Sequence, residues 1–296
     1  MGAENSRSSR KRREKKGGEE APRVGLEHFT VLRSIGRGSF GKVCIVQKKS
    51  NKQPYAMKYM NKIKCIEKDA FKNILQEVDI LASLNHPFLV NLWFTFQDEE
   101  DLFMVVDMLL GGDLRYHLNQ EGRFAEDRVK LYVCELALAL DYLQKKRILH
   151  RDLKPENIIL DDSGHCHLTD FNVATVLPPQ SLATSFAGSK PYMACEVYST
   201  ALQECAGYSY SVDWWSLGIC MYEMLRGCLP FETNVYMTNR EIRDLLISKT
   251  ITIPVEWSDD VVAFLCTHLL NPDPEHRISN LHAFFTHSYM ERIKVL

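Results

Sequence analysis

The sequence predicts an α+β chain of two unequal lobes, a small β-rich one followed by a larger, mostly helical one. Short runs of β-branched and aromatic residues crowd the first third, whereas helical spacing of apolar residues dominates after Gly111-Gly112. At 296 residues the chain is long enough to bury a sizeable core without staples. With 45% hydrophobic and 25% charged residues, its composition is that of a globular chain and excludes wholesale disorder.

Residues 1–16 carry seven basic side chains against two acidic ones, a net +5 that leaves the remainder of the chain at −7 of the overall −2. Hardly an apolar residue precedes Val24, so residues 1–27 are read as a disordered basic arm. Runs 29–34 and 43–47 flank a glycine-rich turn and read as paired strands, with a third strand at 53–59. Phe71, Ile74, Leu75, Val78, Leu81 and Leu84 mark an amphipathic helix over 68–84. Strands follow at 88–96 and 102–109, then helices at 113–119, 126–146, 213–225, 239–247 and 258–270. The folded domain is expected at 28–288, its N-lobe at about 28–108 and its C-lobe at about 113–288, with a short C-terminal end at 289–296.

Composition excludes several function classes. A net charge of −2 argues against a globally basic nucleic-acid binder, so no nucleic-acid partner is expected. No uncharged apolar run reaches the ~18 residues of a membrane span, and the charged N-terminus does not resemble a secretory signal. Nine scattered cysteines without a CxxC pair read as reduced thiols of a cytosolic chain.

Three groups of residues point to phosphate chemistry. Gly36-Arg37-Gly38-Ser39-Phe40-Gly41-Lys42-Val43 matches G-x-G-x-x-G-x-V. Dinucleotide-binding domains use a similar string, but theirs opens a helix, whereas a strand-like run follows here. A glycine loop between strands can aim backbone N–H groups at phosphates. Lys58 lies on the third strand, where most lysines are surface residues; the functional alternative is a Lys58–Glu77 pair that holds the ammonium over the α- and β-phosphates of ATP. Last comes His150-Arg151-Asp152-Leu153-Lys154-Pro155-Glu156-Asn157, followed by Asp170-Phe171-Asn172.

With these motifs in this order, residues 29–285 resemble the eukaryotic protein kinases, and the resemblance implies the two-lobed protein-kinase fold. It also implies roles, residue by residue. Asp152 would accept or orient the proton of a substrate hydroxyl, Lys154 would contact the γ-phosphate, and Asn157 and Asp170 would hold magnesium, for which manganese can substitute. The ATP pocket would comprise Ile35, Gly36, Gly38, Ser39, Phe40, Gly41, Val43, Ala56, Lys58, Glu77, Val106, Asp107, Leu109, Asp113 and Ile159. His150 and Phe171 would stack with Leu81 and Leu92 as an apolar spine. Asp213-Trp214-Trp215-Ser216-Leu217-Gly218 matches a helix start whose aspartate steadies the catalytic loop, and Arg277 would pair with Glu196 of the A-P-E position. Ser189 with Lys154 looks like the serine/threonine branch. The wording of Met57-Lys58-Tyr59-Met60-Asn61-Lys62, His86-Pro87-Phe88-Leu89-Val90-Asn91-Leu92-Trp93 and Leu110-Gly111-Gly112-Asp113-Leu114-Arg115-Tyr116-His117-Leu118 is similar to the YANK group of AGC-like kinases.

The chain departs from the family pattern at three places. Asn172 replaces the glycine of D-F-G, and asparagine tolerates left-handed backbone better than other non-glycine residues. Cys195 replaces the proline of A-P-E, where some loss of stability and retained catalysis are expected. Ending at Leu296, the chain is not expected to carry a C-terminal tail of the AGC kind.

The reading is therefore an ATP- and magnesium-dependent protein serine/threonine kinase, a monomer whose partners are ATP and protein substrates. The alternatives are a membrane-tethered pseudokinase scaffold and a small-molecule phosphotransferase of related fold. Ser185 stands where AGC-type kinases carry an activation-loop phosphate that Arg151 would bind, although an ordinary polar loop serine reads nearly as well. Asp113, Glu156 and Glu223 are expected to receive substrate arginines, with Lys190 opposing that preference. Met1-Gly2-Ala3-Glu4-Asn5-Ser6 fits an acceptor for myristate on Gly2. With the basic run after it, that motif predicts a cytoplasmic protein attached to an anionic membrane surface.

Overall fold

The computed structural model describes residues 24–37 and 41–290, so the expectations that fall on Gly2, on the basic run 7–16, on Gly38, Ser39 and Phe40, and on 291–296 lie outside the described residues. The chain enters through a 3-10 turn, Leu26–His28, and Val24, assigned above to the arm, packs on the N-lobe core. Strands β1 (Phe29–Arg37), β2 (Gly41–Lys48) and β3 (Pro54–Asn61) lead into a short helix α1 (Lys62–Glu67) and then α2 (Phe71–Ser83). Strands β4 (Leu92–Gln97) and β5 (Asp101–Val106) complete an antiparallel sheet of order β1-β2-β3-β5-β4. Helices α3 (Leu114–Glu121) and α4 (Glu126–Lys145) open the second lobe, followed by four very short strands, β6 (Ile148–Leu149), β7 (Ile158–Leu160), β8 (Cys166–Leu168) and β9 (Thr175–Val176). Helices α5 (Cys195–Ala201), α6 (Ser211–Arg226), α7 (Asn239–Ser248), α8 (Asp259–Val262) and α9 (Leu281–Thr286) complete it. No described helix is long and apolar enough to cross a membrane.

The N-lobe sheet forms because its strands bury one side chain set against α2 and another against a small aromatic cluster of Phe29, Tyr55 and Phe103. On α2 the buried stripe is Ile74, Glu77, Ile80 and Leu81, so one carboxylate travels inward on an otherwise apolar face. In the C-lobe, α6 is buried on every side from Val212 to Leu225 and acts as the axle around which the other helices pack. It ends at Gly227, whose φ of 82° is left-handed and whose missing Cβ would otherwise stand 2.5 Å from the Gly122 carbonyl oxygen.

Several elements differ from the periodicity reading. The helix expected over 68–84 starts only at Phe71, because Asp69 adopts φ of 50° and breaks it from α1. The strand expected from 88 starts at Leu92, since Asn91 ties 86–91 into a turn by bonding the carbonyls of His86 and Leu89, while Val90 pairs with Leu168 instead. The helix expected over 258–270 changes from α to π at Ala263. Strands β6 to β9 have no signature in the sequence because two or three residues carry no period. They form two ribbons, β6 with β9 and β7 with β8, that brace the loops on either side.

Two ion pairs hold the C-lobe periphery. Arg277, fully buried, donates to both Glu196 oxygens at 2.5 and 3.0 Å and to the carbonyls of Asn271 and Ser211 at 2.9 and 3.0 Å. Beside it the Cys195 thiol donates to the Pro272 carbonyl at 3.0 Å, and burial together with the Glu196 charge pushes this thiol up to about 12. The position therefore has a bond that proline could not make, which offsets the stiffness lost at the first residue of α5. On the far side, Glu135 of α4 accepts from the Cys166 N–H at 2.8 Å and bonds His165 at 2.5 Å, fixing the β7–β8 ribbon.

Arg277→Met strands a buried carboxylate, so urea denaturation is expected to show a loss of about 3–5 kcal/mol. The hydrogen bond to Glu135 raises His165 above its ordinary value. A histidine raised in the folded state stabilises fully below its unfolded pKa and loses that stabilisation as pH rises through the folded one. The parent should therefore lose more stability than His165→Gln between pH 6 and 8, roughly the window that brackets an ordinary histidine at ~6.5. Equal losses in the two proteins would rule out this pair as a contributor.

Candidate active site

The cleft between the lobes is built by β3 and α2 above and by the β6–β7 and β8–β9 loops below. The register of β3 against β2 places Lys58 opposite Val43, and its ammonium bonds both Glu77 oxygens at 2.9 and 3.1 Å. Glu77 is 4% exposed and Lys58 34%, so the cation, not the carboxylate, meets the cleft. Gln76, one residue earlier on α2, donates to the Ala174 carbonyl at 2.9 Å and so joins the helix to the segment after Asp170. The Lys58–Glu77 pair lines a cleft of about 520 Å³ whose walls also include Gly41, Val43, Val106 and Asp170.

Below it, the loop between β6 and β7 is held open by Asp213 at the start of α6. This buried carboxylate accepts the N–H groups of His150 and Arg151, each at 2.8 Å. Burial raises Asp213 above the ordinary carboxylate range, against the pull of His150 and the two N–H groups. Arg151 sits at φ 68° and Asp170 at φ 66°, both left-handed, a strain of order 1–3 kcal/mol each that the surrounding bonds must over-determine. Gly188 is packed so that a Cβ would stand 2.2 Å from the Arg151 carbonyl oxygen, which locks the later loop onto this one.

Around Asp152 the polar side chains converge. Its Oδ2 accepts from Lys154 Nζ at 2.8 Å and from Asn157 Nδ2 at 2.9 Å. Its Oδ1 is buried and has no hydrogen-bond partner among the described residues. Lys154 also donates to the Ser189 hydroxyl at 2.7 Å, which brings a loop 35 residues away to the same point. His150 and Phe171 meet edge to face at 4.9 Å, not stacked, within the core that also holds Leu81 and Leu92.

The other sequence-designated residues scatter more widely. Ala56 is buried opposite Val106 across β3 and β5, while Ile35 and Gly36 lie on β1, Ile35 half exposed. Asp107 and Leu109 line a recess of about 420 Å³ that includes Gln53 and Tyr55, and the Asp107 carboxylate is already held by Trp93 at 2.6 Å and Asn91 at 2.8 Å. Asp113 caps α3 by accepting from the Tyr116 N–H at 2.8 Å, and its backbone bridges to Ile159. Glu156 and Glu223, expected to stand open, are both bonded to Arg115 of the same chain. The Ser185 hydroxyl accepts from Arg151, whose Nε also holds the Val173 carbonyl at 2.7 Å.

Sequence reasoning passed over Gln76, Tyr208 and Arg115. Tyr208 donates to the Ser185 carbonyl at 2.6 Å and fixes that loop, yet a lone tyrosine before α6 carries no motif. Arg115, a cation one residue into a helix already capped by Asp113, could have been noticed as out of place there.

The family model described as protein kinase domain matches residues 29–290. The chain is 56% identical over 264 residues to serine/threonine-protein kinase 32B of Homo sapiens, covering 89% of this chain and 64% of that one. It is 53% identical over 258 residues to serine/threonine-protein kinase 32C of Mus musculus, covering 87% and 53% respectively. A RAC family serine/threonine-protein kinase homolog of Dictyostelium discoideum is 37% identical over 279 residues, with 93% and 60% covered. The chain thus spans between about half and two thirds of the length of these relatives. A five-stranded lobe over a helical one, a Lys58–Glu77 pair sharing a cleft with Asp170, and a match over nearly the whole described length lead to one conclusion: the chain belongs to the protein kinase family.

Proposed function

We propose that the chain is a protein serine/threonine kinase that uses ATP with magnesium, for which manganese can substitute. The observation that carries this reading is the convergence at Asp152: one oxygen is held by Lys154 and Asn157, and the other is buried without a hydrogen-bond partner among the described residues, where a hydroxyl proton could be accepted. The donor set suits a hard divalent cation. Asn157 commits its amide N–H groups to Asp152, which leaves its oxygen, with the Asp170 carboxylate, as the ligands that would hold the ion. When bound, the ion would neutralise phosphate charge as it develops.

The remaining work falls to the protein's own side chains. Lys58, steadied by Glu77, would hold the α- and β-phosphates, and Lys154, steadied by Asp152 and Ser189, would face the γ-phosphate. The substrate hydroxyl oxygen forms the new P–O bond as the bond to the β-phosphate oxygen breaks, ADP departs, and Asp152 takes up the hydroxyl proton. Lys58, Glu77, Asp152, Asn157 and Asp170 together are more than a scaffold requires, which disfavours the pseudokinase reading.

Purified full-length chain with labelled ATP and magnesium should phosphorylate a degenerate serine/threonine peptide library. Asp152→Asn, Asp170→Ala and Lys58→Met should each lower transfer by at least about 10²-fold while keeping the parent's melting profile. Chelation should abolish transfer, and manganese should restore part of it. Transfer by Asp152→Asn at the parent's rate would sink the kinase reading.

We further propose that the arm attaches the protein to the cytoplasmic face of a membrane. One myristoyl chain on Gly2 binds only marginally, with an association constant of about 10⁴ M⁻¹, and a second signal is needed. Basic side chains near an anionic leaflet contribute ~1 kcal/mol each, so the run 7–16 could supply it. Fractionation of cells should find Gly2→Ala shifted to the soluble fraction, with a variant neutralised at 10–13 shifted likewise. Full membrane retention of Gly2→Ala would overturn the anchor.

A further inference from the structure

Arg115 is the second residue of α3, and each of its three guanidinium nitrogens bonds within the chain. Its Nε donates to Glu156 at 2.8 Å, one terminal nitrogen donates to Glu223 at 2.8 Å, and the other donates to the Tyr192 hydroxyl at 2.6 Å. Tyr192 in turn donates to the second Glu223 oxygen at 2.7 Å. Two carboxylates and a phenol arranged around one planar fork make an arginine-binding recess. The occupant comes from the protein itself.

The recess lies beside the catalytic loop. Glu156 stands four residues after Asp152, and Tyr192 three residues after Ser189, whose hydroxyl shares Lys154 with Asp152. A polypeptide whose hydroxyl reaches Asp152 must cross this surface. The cluster is also open to solvent: the Arg115 side chain is 27% exposed and that of Glu156 43%, whereas Glu223 beneath them is 7% exposed. Without Arg115, the two carboxylates would present an anionic recess to the substrate. With it, both are already paired to one guanidinium.

We propose that Arg115 is a specificity-determining residue, a built-in occupant that closes an arginine recess and makes the enzyme indifferent to arginine around the target hydroxyl. This rests on the kinase reading of the Asp152 site. It replaces the expectation that Glu156 and Glu223 receive substrate arginines, because both are already paired.

The test measures kcat/KM on serine peptides that carry alanine or arginine in turn at each of five positions on either side of the serine. For the parent, the arginine-to-alanine ratio should stay within about threefold at every position, less than one charge-assisted contact would give. Arg115→Met should gain about tenfold or more for arginine at one or more positions, through KM, and millimolar methylguanidinium should selectively suppress that gain. Arg115→Gln, which keeps a hydrogen-bond donor beside Glu223, should gain in the same direction and serves if the methionine variant does not fold. A tenfold arginine preference in the parent would overturn the inference whatever the variants do. So would a variant that melts like the parent, phosphorylates the alanine peptides normally and gains nothing. Absence of transfer by the parent to every peptide would instead overturn the underlying kinase reading, and the inference with it.

Discussion

Two hydrogen bonds from backbone to one buried carboxylate hold the loop that carries Asp152. Asp213 accepts the N–H groups of His150 and Arg151 from inside the first turn of α6. Those two N–H groups belong to a loop that bends through a left-handed residue, Arg151, and would otherwise be buried without partners. Their geometry aims Arg151 toward the carbonyl of Val173 and the hydroxyl of Ser185, and it sets Asp152 where Lys154 and Asn157 can reach it. Burial raises the pKa of the Asp213 carboxyl, and α6, buried from Val212 to Leu225, fixes that carboxyl to the C-lobe core. The Asp152 loop is thereby anchored to the C-lobe core.

From that fixed loop, position passes outward through polar contacts between segments distant in sequence. Lys154 joins the loop to Ser189, and Gly188 admits the close approach that lets the two segments pack. Glu196 and Arg277 close the same region from below, with Cys195 adding a thiol bond to Pro272. Upward, Gln76 bonds Ala174, and one residue further along the same helix Glu77 bonds Lys58. The lobe interface thus has α2 read by two partners at once, one on the sheet and one on the loop after Asp170. A rotation of α2 about its axis would break both, so the lysine's position and the lower loop's position are coupled through a single helix.

Residues meant for one purpose can be turned to another by a single neighbour. Glu156, Glu223 and Tyr192 would form an anion-rich surface beside the Asp152 loop, yet Arg115 cancels one of its two charges and ties α3, the loop and α6 together. Burial alone would lower the guanidinium's pKa, but the hydrogen bonds to Glu223 and Glu156 raise it well above the ordinary arginine value. The arginine is held as a charge. Its effect on the surface is therefore permanent across physiological pH.

What the sequence by itself determined was whatever is written in consecutive residues. The order of motifs from the glycine loop to Asp170-Phe171 named the family, and 3.6-residue periodicity found α4, α6 and the stripe on α2. The pairing of Lys58 with Glu77 was legible as a strand lysine followed by a helix glutamate in a known order, whereas the burial of Glu77 on the inward face of α2 came from the fold. Tertiary structure alone decided the four short strands, since two or three residues carry no period, and the break at Asp69, since a left-handed residue is chosen by packing on either side. It also decided which charges remain free. Glu156, Glu223 and Arg115 are separated by up to 108 positions, and no spacing rule can say that they meet. Local sequence fixes which groups a segment offers; only the folded chain, by bringing distant segments within 3 Å, decides which of them are already taken.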